Sequence, residues 1–329
     1  MKTLLRTICV LSCLCLVLPS APAQAAPALP ECTYNPVVAE ILGRTSSARW
    51  LEWVQQLTGE LPVQVDGDPY FILARDTQSM FSDRENAQAF AYVEQTVRSW
   101  VPAGQIEIDE YTRLNGLPWY NLIVTFPGTS KPEEQVLLVA HLDSKSETKP
   151  LTQAPGADDN GSAVAVALEV AARCPQIEIL LPALEEAGLL GSRHYVAQDA
   201  QRQSLTVVLE SVGFWTDAPH TQSVPDVFPR AFPDVHDQLQ KREFRGEFLG
   251  LLHLSPETAR AQELETALPL PVLRVPIPSE ALRGPQAGEL SDFGRSDHLA
   301  FWEKGHPCLM LTDSANFRNP NYHLLLGSI

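Results

Sequence analysis

The 329-residue sequence has no excess of basic residues and few charged residues of any kind. It contains 24 Lys+Arg against 40 Asp+Glu, a formal net charge of −16, and only 19% of its residues are charged. Because phosphate groups are bound by clustered positive charge, this balance excludes nucleic acid and anionic membrane surfaces as main partners. Hydrophobic residues make up 44% of the chain, which is normal for a packed protein and too many for a disordered one.

Long hydrophobic runs are also missing, and the main candidate lies at the N-terminus. Two basic residues precede an apolar stretch at residues 8–18, and a small-residue cleavage site ends at Ala25. This order predicts a signal peptide over residues 1–25, because the stretch is shorter than the roughly 20 residues that span a bilayer. A lipoprotein anchor at Cys13 is the alternative. We expect an exported protein, periplasmic or extracellular, with no integral membrane segment after cleavage.

Cysteine is scarce once the signal peptide is removed. Cys32, Cys174 and Cys308 remain, and no two of them have the Cys-x-x-Cys spacing of a redox motif or a zinc finger. An odd number of cysteines in an oxidising compartment allows one disulfide and one free thiol, in any of three pairings. The sequence leaves the pairing open.

Short apolar runs alternate with amphipathic or alanine-rich segments along most of the chain. Strands are expected at 106–111, 121–126, 136–140, 177–184, 205–209 and 308–312, and helices at 82–100, 161–173 and 255–267. This alternation predicts an α/β fold of three layers, with a mostly parallel central sheet flanked by helices. We expect a single domain over residues 26–329, in which the proline-rich segment 216–290 is an irregular elaboration beside the sheet.

Ionisable side chains follow three of the predicted strands, at the point where each strand ends. Because the carboxyl ends of parallel strands meet at one edge of a sheet, these side chains are expected to lie close together. A loop before the next helix adds two more carboxylates, which could also cap that helix. A mixture of imidazole and carboxylate suits zinc better than calcium or magnesium. The residues are His141, Asp143, Glu185, Glu186 and Glu210, with Asp158 and Asp159 in the loop.

Six motifs occur in a fixed order along the chain. They are His141-Leu-Asp-Ser, Pro155-Gly-Ala-Asp-Asp-Asn-Gly-Ser162, Glu185-Glu-Ala-Gly-Leu-Leu-Gly-Ser192, Leu209-Glu-Ser-Val-Gly213, Ser296-Asp-His-Leu-Ala-Phe301 with Gly305-x-Pro307, and Asn319-Pro-Asn-Tyr-His323. Together they resemble the family of co-catalytic two-zinc aminopeptidases, which also contains glutaminyl cyclases and glutamate carboxypeptidase. The resemblance covers roughly residues 70 to 323, is weakest between 216 and 290, and implies a zinc exopeptidase-like fold.

The resemblance also implies a role for each matching residue and two Zn²⁺ per chain. Asp159 would bridge the two ions, His141 and Glu210 would hold one of them, and Glu186 and His323 would hold the other. Glu185 would be the general base and acid. Asp143 would orient His141 by accepting its second N–H, and Asp158 and Asp297 would lie just outside the ligands.

Aminopeptidase activity on peptides with a free N-terminus is the function that the resemblance implies, with the side-chain preference left open. Two alternatives remain. One is an acyltransferase similar to glutaminyl cyclases, which would use one zinc, and the other is a catalytically impaired binding or receptor-like module of the same fold.

The C-terminus departs from the family pattern. The sequence ends at Ile329, six residues after His323, without the Asp-Thr segment and final helix that the family normally has. We interpret this as a truncated-looking C-terminus that could leave apolar surface uncovered and His323 poorly anchored. A marginally folded or self-associating chain is therefore expected.

Overall fold

The computed structural model describes residues 36–75, 83–101, 105–114, 117–126, 135–147, 153–172, 177–198, 203–282 and 286–324. The predicted signal peptide, Cys32, Cys174 and the tail after residue 324 lie outside these ranges. Cys308 lies within them as a free and buried thiol. In the described ranges, none of the helices has the length and apolar character needed to cross a membrane.

Ten α-helices and ten strands are assigned in the described residues. The helices are α1 (Pro36–Arg44), α2 (Ser47–Leu57), α3 (Asp83–Arg98), α4 (Ala163–Ala171), α5 (Leu190–Gln198), α6 (Phe228–Ala231), α7 (Pro233–Lys241), α8 (Thr258–Ala267), α9 (Gln286–Glu289) and α10 (His298–Lys304). The strands are β1 (Val63–Val65), β2 (Asp68–Tyr70), β3 (Ile106–Leu114), β4 (Leu117–Thr125), β5 (Gln135–Val139), β6 (Glu178–Leu181), β7 (Gln203–Glu210), β8 (Leu249–Leu254), β9 (Val272–Ile277) and β10 (Cys308–Thr312).

Eight of the strands form one sheet in the order β3-β4-β6-β5-β7-β10-β8-β9. Its centre, β6-β5-β7-β10, is parallel. Towards one edge, β3 and β4 are antiparallel to each other and β4 is antiparallel to β6, and on the other side β8 is antiparallel to β10. The expected α/β class is confirmed, and the sheet is mixed, with its parallel strands at the centre.

Helices cover both faces of the sheet, as the predicted three layers require. In β5, Leu138 belongs to one hydrophobic cluster, whereas Leu137 and Val139 belong to another, because successive side chains of a strand point to opposite faces. The first cluster includes residues of α2, α3 and α4, and the second includes residues of α5, α7 and α10. A strand buried on both faces reads as a continuous apolar run, which is why the central strands were recognisable in the sequence.

The segment 216–290 is more regular than the sequence suggested. It supplies β8 and β9, which complete the sheet beyond β10, rather than lying beside the sheet. Its prolines and weak periodicity concealed these strands, although four of the six residues of β8 are buried. The expected helix at 255–267 is present as a 3₁₀ turn, Ser255–Glu257, followed by α8.

Candidate metal centre

The central strands deliver ionisable side chains to one edge of the sheet. His141 lies two residues after β5, Glu185 and Glu186 follow β6, and Glu210 is the last residue of β7. Since β6, β5 and β7 are parallel neighbours, their carboxyl ends converge. All four side chains are buried or nearly buried.

Asp159 reaches the same edge from a tight loop that precedes α4. The loop turns at Gly156, whose φ of +50° is in the left-handed region, and an added Cβ there would lie 2.3 Å from the Asp159 carbonyl oxygen. Below it, the fully buried guanidinium of Arg75 donates hydrogen bonds to the carbonyls of Pro155, Gly156 and Leu142. Arg75 therefore ties the loop to the segment that carries His141.

Two groups of potential ligands meet in this region. In the first, His141 Nε2 lies 3.1 Å from Glu210 Oε2, 3.2 Å from Asp159 Oδ1 and 3.9 Å from Glu185 Oε2. In the second, His323 Nε2 lies 3.1 Å from Asp159 Oδ2 and 3.2 Å from Glu186 Oε1. The two oxygens of Asp159 thus face different groups, so its carboxylate connects the two.

The donor atoms fit divalent metal ions. Ligands at the usual zinc distances of about 2.0–2.1 Å in a tetrahedral arrangement lie roughly 3.3 Å apart, close to the separations between the His nitrogens and their nearest carboxylates. Imidazole nitrogen together with carboxylate oxygen is a donor set that zinc accepts and that calcium avoids. The residues present therefore fit one ion in each group.

Protonation at the site reflects buried negative charge. Burial raises the pKa of Glu185 well above its usual range, and Glu210 and Glu186 add to this although His141 opposes it. Burial, with repulsion from Asp159, also raises the pKa of Glu186 to about 7. Burial disfavours the cationic form of His323, yet its hydrogen bonds with Asp159 and Glu186 raise the pKa to about 10. Without added positive charge, the buried carboxylates are therefore hard to ionise together.

Asp143 lies beside His141 and also contacts the turn that carries the two glutamates. Its carboxylate oxygens accept hydrogen bonds from the backbone N–H groups of Glu185 (3.2 Å) and Glu186 (3.1 Å). The nearest recorded partner of His141 Nδ1 is the backbone carbonyl of Asp143 at 3.1 Å, whereas the carboxylate is 3.6 Å away. The carboxylate thus holds the turn that presents the two glutamates, because that turn leaves two N–H groups to satisfy, and it also faces the imidazole of His141.

Asp158 ties the loop before α4 to two other segments rather than capping that helix. Its carboxylate accepts hydrogen bonds from the Gly213 N–H (2.9 Å) and from Asn319 Nδ2 (2.7 Å). The next residue, Asn160, is also buried and donates to the Leu209 carbonyl while accepting from the Ser211 N–H. These bonds join the loop to the end of β7 and to the chain just before His323.

The Ser296-Asp297-His298 triplet lies next to the first group of potential ligands, which contains His141 and Glu210. Ser296 Oγ donates a 2.7 Å hydrogen bond to Glu210 Oε2, a contact that the sequence did not single out. Burial raises the pKa of Asp297 to about 7, and the nearby carboxylates of Asp143 and Glu210 contribute. His298 is buried, contacts the Phe293 carbonyl through Nε2 and packs against Trp302, so its contacts lie away from the ligand groups.

Glu147, which lies outside the motifs, and Tyr322, a motif residue that was given no role, are two further neighbours of His323. Glu147 Oε1 lies 3.3 Å from His323 Nδ1, and the Glu147 N–H donates to the His323 carbonyl. Tyr322 stacks on the imidazole with ring centroids 3.8 Å apart. No sequence pattern pointed to Glu147, which lies in the loop seven residues after the predicted strand 136–140.

Two of the cavities that border the ligand groups share Glu210, Arg295 and Tyr322. The open cavity, of about 380 Å³, is lined by Glu185, Glu186 and His323 as well as basic side chains. The apolar pocket, of about 110 Å³, extends from Glu210 between strands and loops towards the second hydrophobic cluster. Its apolar lining includes Val224, Phe228, Phe248, Leu252, Leu273, Val275, Phe293, Met310 and Phe317.

Comparisons with known proteins agree with this site. Peptidase family M28 matches residues 121–235, which include five of the six converging side chains. The uncharacterized protein YfbL of Escherichia coli (strain K12) is 28% identical over 239 residues, which are 68% of this chain and 69% of that protein. A probable leucine aminopeptidase of Arthroderma otae is 37% identical over 101 residues, 27% of this chain and 26% of that protein, so the match spans about a quarter of its length.

Solved structures share the fold. LapB from Legionella pneumophila superposes with a TM-score of 0.60 at 18% identity, covering 92% of this chain and 70% of that one. A glutaminyl cyclase from an Acidobacteriales bacterium superposes with a TM-score of 0.51 at 18% identity, covering 94% of this chain and 91% of that one. Residues 121–235 therefore match Peptidase family M28, and the solved structures show that the fold is shared over most of the chain.

Proposed function

We propose that this protein is an aminopeptidase that uses two zinc ions to hydrolyse the first peptide bond of its substrates. The observation that carries the proposal is the division of the site into two groups joined by Asp159. His141 and Glu210 would hold one ion, Glu186 and His323 the other, and Asp159 would contact both. A zinc ion in such a site polarises a carbonyl group and lowers the pKa of water.

Glu185 is the residue that we assign to proton transfer. It is buried beside both groups, and its Oε2 is farther from His141 Nε2 than the nearest oxygens of Asp159 and Glu210. The raised pKa of Glu185 suits a group that must accept a proton from water and then release it to the leaving amine near neutral pH. Asp143 positions Glu185 through its backbone N–H.

An N-terminal residue with an apolar side chain is the substrate that the cavities favour. The apolar pocket begins at Glu210, so a side chain inside it would place the adjoining carbonyl beside the ligand groups. A free α-ammonium group next to that carbonyl would lie beside the carboxylates of the ligand groups and away from the basic side chains of the open cavity. The local identity to a probable leucine aminopeptidase points the same way.

We also propose that the protein is exported. Residues 1–25 have the features of a signal peptide, and the fold neighbours come from bacteria. We therefore place the activity in the periplasm or outside the cell.

Zinc content and substrate range of the mature protein test the proposal together. Two zinc ions per chain and hydrolysis of a leucyl peptide, but not of its N-acetylated form, are expected. One zinc with pyroglutamate formation from a glutaminyl peptide would instead establish a glutaminyl cyclase-like acyltransferase. A folded chain that retains no zinc would establish a non-catalytic module.

A further inference from the structure

Basic side chains line one wall of the open cavity. Three of its twelve lining residues are Lys145, Arg193 and Arg295, whereas Lys and Arg together are only 24 of the 329 residues of this acidic chain. They come from three separate segments: the loop after β5, helix α5 and the loop before α10. We call these three residues the basic wall.

The ion pairs of the basic wall are long or solvent-exposed. Lys145 lies 3.6 Å from Glu147, Arg193 lies 3.1 Å from Glu303, and Arg295 lies 3.8 Å from Asp292, and each acidic partner is 40–62% exposed at its side chain. Exposed pairs of this kind contribute little to stability, so the cations can turn to another anion at small cost.

The two arginines of the basic wall have more N–H donors than their contacts within the described residues use. The contacts recorded for Arg193 within the described residues all use Nη2, although a guanidinium has five N–H donors. Arg295 uses Nη1 for Asn316 and Nη2 for the Tyr322 hydroxyl, at 3.0 and 3.5 Å. A carboxylate is the anion whose geometry matches a guanidinium best.

The acidic side chains of the open cavity do not neutralise the wall when metal is bound. Among the residues that the structure describes, its acidic lining residues are Glu185, Glu186 and Glu210, and all belong to the two groups of potential ligands. Together with Asp159 they carry four negative charges, which two divalent cations offset. The three positive charges of the wall are then left without a counterpart inside the cavity.

We propose that the basic wall binds a substrate carboxylate on the leaving side of the scissile bond, so that the enzyme prefers short peptides with a carboxylate in their second residue. This inference rests on the proposed function. An acyl side chain in the apolar pocket leaves the open cavity to the released residue. Its carboxylate can be the C-terminus of a dipeptide or an acidic side chain, and both would meet the same three cations.

The test compares matched substrates with the zinc-loaded mature protein. Leu-Ala against Leu-Ala-amide probes a terminal carboxylate, and Leu-Asp-amide against Leu-Asn-amide probes an acidic side chain. We expect kcat/KM to favour the charged member of at least one pair by about tenfold, mainly through KM, as one charge-assisted contact allows. The pair that shows the preference identifies the source of the carboxylate.

Variants then assign the preference to the wall. Arg193→Gln is expected to reduce the ratio between the charged and neutral substrates at least about threefold, and Arg193→Lys to restore part of it, because it keeps the charge without the fork of donors. Arg230→Gln removes an exposed arginine that lines neither cavity and should leave the ratio unchanged. The ratio is insensitive to any general loss of activity.

The outcomes separate this inference from the proposed function. If all four peptides are hydrolysed without a preference, or if Arg193→Gln leaves the preference intact, the proposed role of the basic wall is overturned. The proposed aminopeptidase activity is then unaffected. Absence of hydrolysis overturns the aminopeptidase. In that case calorimetric titration of the zinc-loaded protein with Leu-Ala and Leu-Ala-amide decides the inference, since tighter binding of the acid supports it and equal binding overturns it.

Discussion

At the scale of single residues, the centre is an arrangement of carboxylates that would repel one another without cations. Asp159 is the exception, because hydrogen bonds from His141 and His323 outweigh its burial and hold its pKa well below the usual range. The pKa values of its neighbours Glu186 and Glu210 are raised instead, by burial and by the charge of Asp159 itself. A metal-binding role explains why such a costly group of buried charges is assembled.

Replacing Glu185 by Gln separates proton transfer from metal binding. We expect kcat to fall by a factor of at least about 10², as for loss of a general base, with both zinc ions retained. Steady-state kinetics and elemental analysis on the same sample measure the two quantities. Glu289→Gln, which removes an exposed carboxylate paired with Arg230, is the matched control and should change neither. Normal turnover in Glu185→Gln would contradict the assignment.

Replacing Glu147 by Gln tests the orientation of His323. Because the carboxylate lies 3.3 Å from Nδ1, its loss should weaken one zinc site by about tenfold and leave the other site unchanged, in the range known for outer partners of histidine ligands. Competition with a zinc chelator gives both dissociation constants. Glu243→Gln, a change at an exposed ion pair elsewhere, should alter neither. Two unchanged sites in Glu147→Gln would show that backbone contacts alone hold His323.

At the scale of elements, the strands of the sheet and the loop before α4 depend on different features of the sequence. The central strands need only apolar runs, and their positions were predicted to within a few residues. The loop needs an unusual path, which is stabilised by Arg75 below it and by Asp158 and Asn160 on its sides. The sequence offered no sign of Arg75, because a buried arginine that binds carbonyl groups has no characteristic spacing from them.

Two glycine substitutions measure how tightly the loop is packed. Gly156→Ala would bring Cβ to 2.3 Å from the Asp159 carbonyl oxygen and 2.6 Å from Ser144 Cβ. Gly67 also has a positive φ, but nothing lies within 4 Å of an added Cβ there. We expect Gly156→Ala to lower the free energy of unfolding by about 1–3 kcal/mol more than Gly67→Ala does, and to weaken zinc binding. Equal losses in denaturant titrations would mean that the loop yields without strain.

At the scale of the whole molecule, an acidic chain with a net charge of −16 concentrates buried carboxylates at one edge of its sheet. Around them, two hydrophobic clusters cover the two faces of the sheet and provide a rigid support. The stability of the metal-free protein should therefore depend on pH through the ionisation of the side chains at this edge.

We expect the metal-free protein to lose stability as the pH rises from about 5 to 9. Glu186 and Asp297, with pKa values raised to about 7, bind protons more tightly in the folded state than unfolded, so their contribution is lost as pH rises towards 7. His323, with a pKa raised to about 10, contributes below its unfolded value of 6.5 and loses this on the way to 10. Asp159 has the opposite dependence, but only in acid.

Thermal unfolding after chelation, measured at pH 6 and pH 8.5, checks this expectation. The melting temperature should be lower at pH 8.5, and added zinc should raise it more at that pH, since metal ligands must be deprotonated to bind. A metal-free protein that is more stable at pH 8.5 would contradict the directions of these pKa shifts.

The sequence by itself determined the fold class, the central strands and five of the six side chains that converge, because apolar runs, strand-end charges and an acidic loop are local features of the chain. The sixth, His323, was assigned only through the resemblance to a known family. It did not reveal that 216–290 contributes β8 and β9, or that Arg75, Glu147 and Ser296 support the site. Those contacts join residues that are far apart along the chain or in separate loops. Only the tertiary structure decided them, because the loops meet only once the sheet has brought its strand ends together.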